Sequence, residues 1–119
     1  MKNAGMKNIV TVGVSSLEET KARLVAAFRG EPQGNRISFL SVEQMWKVLS
    51  PKRAAILAAM TGQGPMSIRE AARRVGRDVK AVHGDVTALL AAGVIDRRDG
   101  LVEFPYDGVH VDFMLGKAA

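Results

Sequence analysis

The chain has 119 residues, of which 47% are hydrophobic and 5% aromatic; it carries a net charge of +5 and no cysteine. This length is that of one domain, or of one small domain with an appendage, around a mostly aliphatic core. The absence of cysteine excludes disulfides, thiolate catalysis and thiolate-bound zinc. Since no apolar run reaches membrane-spanning length and the N-terminus lacks the apolar core of a signal peptide, we expect a cytoplasmic protein.

The first thirty residues predict a strand and then a helix. Residues 8–14 alternate with valine on one side, which is typical of a strand. Met6 is an alternative start, which would make residues 1–5 a tail. A serine followed three residues later by glutamate opens a helix over 17–29, with the cap at either Ser15 or Ser16. The buried side of this helix is predicted to comprise Leu17, Leu24, Val25 and Phe28.

Residues 30–62 predict a loop, a short strand and two helices. Gly, Pro and Asn cluster in 30–35, and 36–40 then forms a strand with Ile37 and Phe39 on one side. Ser41 with Gln44 is a second capping box, and it opens a helix with apolar residues Val42, Met45, Trp46 and Leu49. Trp46 is interpreted as a core anchor. Ser50-Pro51 opens the next helix, which runs to about Thr61.

The run from Ser67 to Phe104 predicts two helices across a tight turn, followed by a β-hairpin. Ser67 and Glu70 have capping-box spacing, and Gly76 follows the apolar stripe of the first helix, Ile68, Ala71, Ala72 and Val75. Asp78 caps a second helix over 78–92, whose buried side is Val79, Val82, Val86, Leu89 and Leu90. A hairpin over 94–104 begins at Val94-Ile95 and turns at Asp99-Gly100. Alternation over 109–115, ending at Leu115, predicts a final strand.

Several segments carry a resemblance to a known family: LSPKR at 49–53, SIREAARRVGRDVK at 67–80, VHGDV at 82–86, and residues 89–95. They resemble the prokaryotic MarR/ArsR-like winged-helix regulators, and most of all a small family of DNA-binding proteins named after its haloarchaeal member. The resemblance covers residues 36–115. It implies a winged-helix fold, dimers and transcriptional control, and in antitoxin-like members a toxin partner and autoregulation. The family pattern places a basic residue where this chain has Gly84.

The fold class that we predict is therefore α+β, a winged helix-turn-helix with an N-terminal strand-helix extension and a C-terminal strand. Two units are expected, an extension over 1–40 for dimerisation or partner binding and a winged-helix domain over 41–119. The strands at 8–14 and 109–115 can pair within a chain or between chains. A single winged helix has a small footprint on DNA, so we expect a homodimer.

Basic residues around the two helices predict contacts with DNA phosphates. Arg69, Arg73 and Arg77 are the main candidates, with Arg77 beside the second helix N-terminus. Arg74 can instead pair with Glu70 four residues earlier. Lys52 and Arg53 lie at a helix N-terminus, where cations are unfavourable, so each needs a phosphate or an intramolecular carboxylate. The complete set of expected phosphate contacts is Lys52, Arg53, Ser67, Arg69, Arg73 and Arg77.

The second helix is the expected recognition helix in the major groove. Opposite its core side it carries the residues expected to contact bases: Lys80, Ala81, His83, Gly84 and Thr87. This small-residue face can alternatively pack on another helix across a dimer. Arg97 and Arg98 flank the hairpin turn on opposite faces, so one of them can enter a minor groove or simply protect a strand edge with charge.

Enzyme chemistry is not expected, because the chain contains two histidines in different predicted elements and no nucleophile–base pair. His83 and Asp85 are two residues apart on a helix and diverge too far to share a metal ion with His110. Val12 to Ser16 is too short for a phosphate-binding loop. We therefore expect no catalytic residue, metal or cofactor, and a sequence-specific regulator of transcription, a repressor or an autoregulatory antitoxin-like protein. The alternative is a winged-helix protein-interaction module that neutralises a toxin and binds DNA weakly or not at all.

Overall fold

The computed structural model describes residues 8–32 and 34–114, so the expectations for Met6, for the tail and for Leu115 lie outside the described residues. Five helices and five strands occur within these ranges, in the order β1 Ile9–Val14, α1 Leu17–Phe28, β2 Arg36–Phe39, α2 Val42–Val48, α3 Pro51–Met60, α4 Ile68–Val75, α5 Val79–Ala91, β3 Asp96–Arg98, β4 Leu101–Glu103 and β5 Gly108–Asp112.

A parallel sheet joins the two ends of the described chain. Its strand order is β2-β1-β5, and Val12 in the central strand lies opposite Ile37 on one side and Val111 on the other. The pairing of β1 with β5 takes place within the chain, which is one of the two options that the sequence left open. β5 thereby adds a strand from the predicted 41–119 unit to the strands of the predicted 1–40 unit, and the division at residue 40 stays a prediction.

The helix-turn-helix forms as its caps predict. The side chains of Ser50 and Ser67 each accept a hydrogen bond from the backbone N–H three residues on, and Asp78 caps α5. Gly76 ends α4 in the left-handed conformation, with φ of 67°. The core cluster combines residues from the sheet, the helices and the hairpin, including Val10, Phe39, Met45, Ile56, Met60, Ala71, Ala72, Val82, Val86, Leu89 and Phe104.

The wing is an antiparallel pair, β3 and β4, joined by Asp99-Gly100, and both turn residues have positive φ. Met66, just before α4, exchanges two backbone hydrogen bonds of 2.9 Å with Val102 of β4. The wing is therefore fixed to the start of the helix-turn-helix, and the predicted α+β winged-helix fold is confirmed. The first wing strand begins at Asp96 rather than at Val94; Val94 and Ile95 are buried in the core and precede the β3–β4 ladder.

The predicted buried side of α1 is wrong. This helix has no buried residue, and its apolar side chains are exposed by 58% at Leu17, 59% at Leu24, 48% at Val25 and 85% at Phe28. The cause lies in the sheet beneath it. One face of β1 and β2 carries Val10, Val12 and Phe39 into the core, whereas the residues that alternate with them, such as Thr11, Arg36 and Ser38, offer polar atoms rather than apolar surface.

Trp46 is not the core anchor that the sequence predicted. It is 51% exposed, and its ring meets Phe113 edge to face at a centroid distance of 5.4 Å. α2 has only seven residues, of which only Met45 is buried. Leu49, just past the C-terminal end of α2, is the next buried residue on the same side of the helix. Since successive helix residues are rotated by about 100°, Trp46 lies to one side of these buried residues.

Candidate nucleic-acid interface

A three-residue turn, Gly76 to Asp78, joins α4 to α5 and places the two helices as a helix-turn-helix. The Asp78 carboxylate accepts hydrogen bonds from the backbone N–H groups of Lys80 at 3.0 Å and Ala81 at 3.4 Å. These are the donors that were expected to favour a phosphate beside Arg77. An intramolecular carboxylate occupies them, so the N-terminus of α5 is already capped.

The outward face of α5 presents small and polar side chains. Lys80, Ala81, His83, Gly84 and Thr87 are all exposed, on the side opposite the buried Val82, Val86 and Leu89. A Cβ atom on Gly84 would meet no other atom within 4 Å, so packing inside this chain does not require glycine there. The Thr87 hydroxyl donates to the His83 carbonyl at 2.8 Å, which leaves its oxygen as an acceptor.

Asp85 joins three elements on the flank of α5. Its Oδ1 accepts from Nε of Arg53 in α3 at 3.0 Å, and its Oδ2 forms an ion pair with Nη2 of Arg77 in the turn at 2.8 Å. The Arg53 guanidinium also donates to the Lys47 carbonyl. All three charged side chains are mostly buried, with exposed fractions between 17% and 24%. Of the two partners that the sequence allowed for Arg53, the structure shows the carboxylate.

The ionisation of Asp85 reflects this environment. Burial raises the pKa of the carboxyl, but the hydrogen bond from Arg53 and the charges of Arg77 and Arg53 outweigh burial and hold its pKa below the usual range. The Arg77–Asp85 contact is a close ion pair rather than an aligned hydrogen bond, since Oδ2 accepts no well-directed N–H from the described residues. Asp85 therefore stays ionised at neutral pH and neutralises one of the two arginines.

A second acidic residue, Glu70, organises the exposed side of α4. It forms ion pairs with Arg73 three residues on and with Arg74 four residues on, the latter at 2.7 Å. Hydrogen bonds from Arg73 and Arg74 lower the pKa of Glu70 to about 2. Ser67 caps the helix as predicted, but the reciprocal half of the capping box is absent, because the Glu70 carboxylate turns to the two guanidinium groups instead.

The remaining basic residues that were predicted to contact DNA differ in whether a carboxylate pairs with them. Arg69, Lys52 and Arg97 are exposed and form no ion pair within the part of the chain that the structure describes. Arg98 pairs with Glu103 at 3.1 Å while its own side chain stays 64% exposed. Arg97 lies opposite Val102 and Arg98 opposite Leu101, so the two arginines point to opposite faces of the wing as predicted.

The structure therefore brings most of the predicted residues to the helix-turn-helix and wing, but divides them into two groups. Arg69 and Lys80 have no ion-pair partner within the described residues, whereas Arg53, Arg73 and Arg77 are engaged by carboxylates. Asp85 is the site residue whose role sequence reasoning missed. The available signal was the pair of cations at the N-terminus of α3, which requires an opposite charge nearby.

His83 and His110 lie on α5 and β5, and the described residues contain no group of three or more His, Asp or Glu side chains placed to hold a metal ion. None of the helices in the described ranges combines the length and the apolar character needed to cross a lipid bilayer.

Two solved structures are similar to this chain. A crystal structure described as a predicted DNA-binding transcriptional regulator from E. coli is 23% identical, with a TM-score of 0.46, over 71% of this chain and 81% of that one. The structure of CalO1, a methyltransferase of calicheamicin biosynthesis with SAH bound, is 18% identical with a TM-score of 0.44, over 76% of this chain but only 23% of that one. No curated protein matches.

A family model described as HVO_A0114 matches residues 48–111, more than half of the chain. The matched segment runs from the end of α2 through the helix-turn-helix and the wing to β5. On this match, the chain belongs to the HVO_A0114 family.

Proposed function

We propose that this protein binds double-stranded DNA through α5 and regulates transcription. The observation that carries the proposal is the outward face of α5, which presents Lys80, His83 and Thr87 between small residues and no bulky apolar side chain. A helix with this surface, held behind a short turn, can lie close to the floor of a major groove. The basic balance of the chain, +5, favours a polyanion.

The exposed cations around α5 have separate roles in this proposal. Arg69 on α4 and Lys52 at the start of α3 contact phosphates, and Arg73 adds a third contact when it leaves Glu70. Lys80, His83 and Thr87 reach base edges, with Ala81 and Gly84 allowing close approach. Arg53 and Arg77 act mainly through Asp85, by holding α3, the turn and α5 in one arrangement. The proposal is for a binding protein with no catalytic residue and no cofactor.

The finer proposals concern assembly and control. We propose a homodimer of the MarR/ArsR-like kind that represses transcription, including that of its own gene. The dimer proposal is supported by the uncovered apolar side chains of α1, which include Leu24 and Phe28. Two copies related by a two-fold axis would present two α5 helices to successive major grooves. Sedimentation velocity over a range of protein concentrations tests the dimer directly.

Fluorescence anisotropy tests DNA binding, with a labelled duplex from the upstream region of the gene and a scrambled duplex at several salt concentrations. We expect tighter binding to the native duplex, with an affinity that falls steeply as salt rises, because phosphate contacts release counterions. Equal and weak binding to both duplexes would contradict a sequence-specific regulator.

Substitutions sharpen that experiment. Arg69→Ala should weaken binding to both duplexes and reduce the salt slope by about 1, since it removes one phosphate contact. Lys80→Ala should reduce the preference for the native duplex. Lys47→Ala is the matched control, because Lys47 is an exposed cation on α2 and is not among the proposed DNA contacts. If Lys47→Ala has the same effect as Arg69→Ala, the protein binds DNA only through its overall charge.

A second candidate is a protein-interaction module whose partner is a toxin-like protein. The observation that favours it is again the exposed apolar side of α1. Phe28→Ser should then abolish partner binding and leave DNA binding intact. In the dimeric regulator, by contrast, the same substitution should weaken dimerisation and lower DNA affinity together.

A further inference from the structure

Two arginines from different elements converge on a pair of serines on the polar face of the parallel sheet. Nη2 of Arg23, from α1, donates to the hydroxyls of Ser15 at 2.5 Å and Ser38 at 3.2 Å. Arg36, from β2, donates to the same two hydroxyls, from Nη2 to Ser15 at 3.3 Å and from Nε to Ser38 at 3.1 Å. Both guanidinium groups are thus within hydrogen-bonding distance of the same two neutral oxygens.

Neither arginine of this cluster is paired with a carboxylate in direct contact: Arg23 and Arg36 form no ion pair within residues 8–32 and 34–114. Glu19 is close enough for the charges of Arg23 and Arg36 to act on it, but its carboxylate accepts from the backbone N–H of Ser16 as part of the α1 capping box. Two like charges that share neutral acceptors repel each other, and an anion placed between them would remove that repulsion.

The Arg36 side chain crosses the neighbouring strand β1 at Gly13. A Cβ atom on Gly13 would lie 2.5 Å from the backbone carbonyl oxygen of Asp112, so the pairing of β1 with β5 requires glycine there, and it would lie 2.9 Å from Nη2 of Arg36, so the guanidinium lies directly over this glycine. Ser15 is 1% exposed, which fixes one wall of the cluster. The Ser38 hydroxyl accepts from its neighbours and donates to none of the described residues, so its proton is available to a ligand.

A pocket of about 330 Å³ opens over this cluster, lined by Thr20, Arg23, Leu24, Gly34, Arg36 and Ser38. Guanidinium groups bind the oxygens of phosphate with paired, charge-assisted hydrogen bonds. We propose that this pocket binds the phosphoryl group of a small molecule, with Arg23 and Arg36 as its ligands, the Ser38 hydroxyl as a further donor, and Leu24 against any apolar part.

The proposal does not rest on DNA binding. The pocket lies on the face of the sheet that points away from α2 and the core, whereas α5 packs with α3 and α4. The short segment Val12 to Ser16, which the sequence showed to be too small for a phosphate-binding loop, contributes only Gly13 and Ser15. The charges come from α1 and β2, and no pattern in the sequence indicated that Arg23 and Arg36 meet.

Isothermal titration calorimetry tests the proposal, with inorganic phosphate and glycerol 3-phosphate as probes in chloride buffer of constant ionic strength. We expect saturable binding of one phosphate per chain. Arg23→Gln and Arg36→Gln should each weaken it by about tenfold or more. Arg29→Gln, an exposed arginine just past the end of α1, is the matched control and should leave affinity unchanged. Tighter binding of the ester identifies an organic phosphate as the ligand, and equal binding identifies free phosphate.

Two further variants separate ligand binding from folding. Arg23→Lys keeps the charge but loses the planar fork, so it should fold and bind with intermediate affinity. Glu19→Gln keeps an acceptor for the helix cap and removes a negative charge that acts on both arginines, so it should bind phosphate more tightly, which a purely structural cluster would not predict. Absence of saturable binding at about 10 mM of both probes would overturn the proposal. So would an equal loss in Arg29→Gln, or a loss of DNA affinity in Arg23→Gln that matches its loss of phosphate affinity.

Discussion

The helix-turn-helix and wing contrast with α1 in how they use apolar side chains. α3, α4, α5 and the wing surround a closed core in which Ile56, Val82, Leu89 and Phe104 are almost fully buried. α1 also has an apolar stripe, which consists of Leu17, Leu24, Val25 and Phe28, yet none of its residues is buried. The stripe in α1 therefore has the periodicity of a core helix, but no surface within residues 8–32 and 34–114 covers it. Amphipathic spacing predicts that a helix forms, but it does not predict which surface will cover the helix.

The largest expected effect is on the free energy of unfolding, when leucine is replaced by alanine in each of the two regions. Leu89→Ala should lower the free energy of unfolding by about 3 kcal/mol, because Leu89 is fully buried and its removal leaves a cavity. Leu24→Ala should lower it by less than about 0.5 kcal/mol in a monomer, since Leu24 is 59% exposed. Urea denaturation at two protein concentrations measures both. A large, concentration-dependent cost for Leu24→Ala would show that a second chain covers α1.

The next effect concerns Asp85. Asp85→Ala should lower the free energy of unfolding by about 2 kcal/mol, because it leaves Arg53 and Arg77 partly buried without their carboxylate. Asp96→Ala, at an exposed position in β3, is the control and should change stability by less than about 0.5 kcal/mol. Chemical denaturation compares the two variants, and equal costs would contradict the structural role of Asp85.

Removal of a helix cap should change stability less, and the change should again differ between the two regions. Ser67→Ala should cost about 1 kcal/mol of global stability, because α4 is part of the core that unfolds as a unit. Ser16→Ala removes an equivalent cap from α1, where it should mainly increase local fraying. Hydrogen exchange distinguishes the two outcomes. Loss of protection throughout the core in Ser16→Ala would mean that α1 folds together with the rest.

The smallest expected effect is a change in folding stability as the pH falls. The folded-state pKa of Asp85 lies below its ordinary value of 3.8, so the stability that its ionised form contributes is present above that value and is lost as pH falls through the folded pKa. Wild type and Asp85→Asn should therefore differ in stability at pH 7 and near pH 4, and the difference should shrink as the pH falls below about 4, towards the folded pKa. Thermal unfolding at pH 7, 4 and 3 measures this difference. A gap that stays constant with pH would show that the charge of Asp85 is not what stabilises the fold.

The sequence was informative where structure is decided locally. The caps at Ser50, Ser67 and Asp78, the left-handed Gly76 and the turn at Asp99-Gly100 each depend on a few adjacent residues, and all were predicted correctly. The exposure of the α5 face also followed from its periodicity.

The larger failures involve contacts between distant parts of the chain. Asp85 meets Arg53 across 32 residues, and α1 meets a sheet whose near face is polar. Trp46 lies beside Phe113, which is 67 residues away in the sequence. Periodicity reports that a residue is on the side of a helix, and it gives no information on which element lies against that side.

The pairing of β1 with β5 has a consequence for the synthesis of the protein. Asn8 and Asp107, which hydrogen-bond to each other at the start of this pairing, are 99 residues apart. At roughly 5–20 residues per second, β1 leaves the ribosome about 5 to 20 s before β5. During that interval every new chain has one unpaired edge of β1, and open strand edges are where chains associate incorrectly. Chains arrested before residue 108 would keep that edge open permanently, however well their helix-turn-helix has folded.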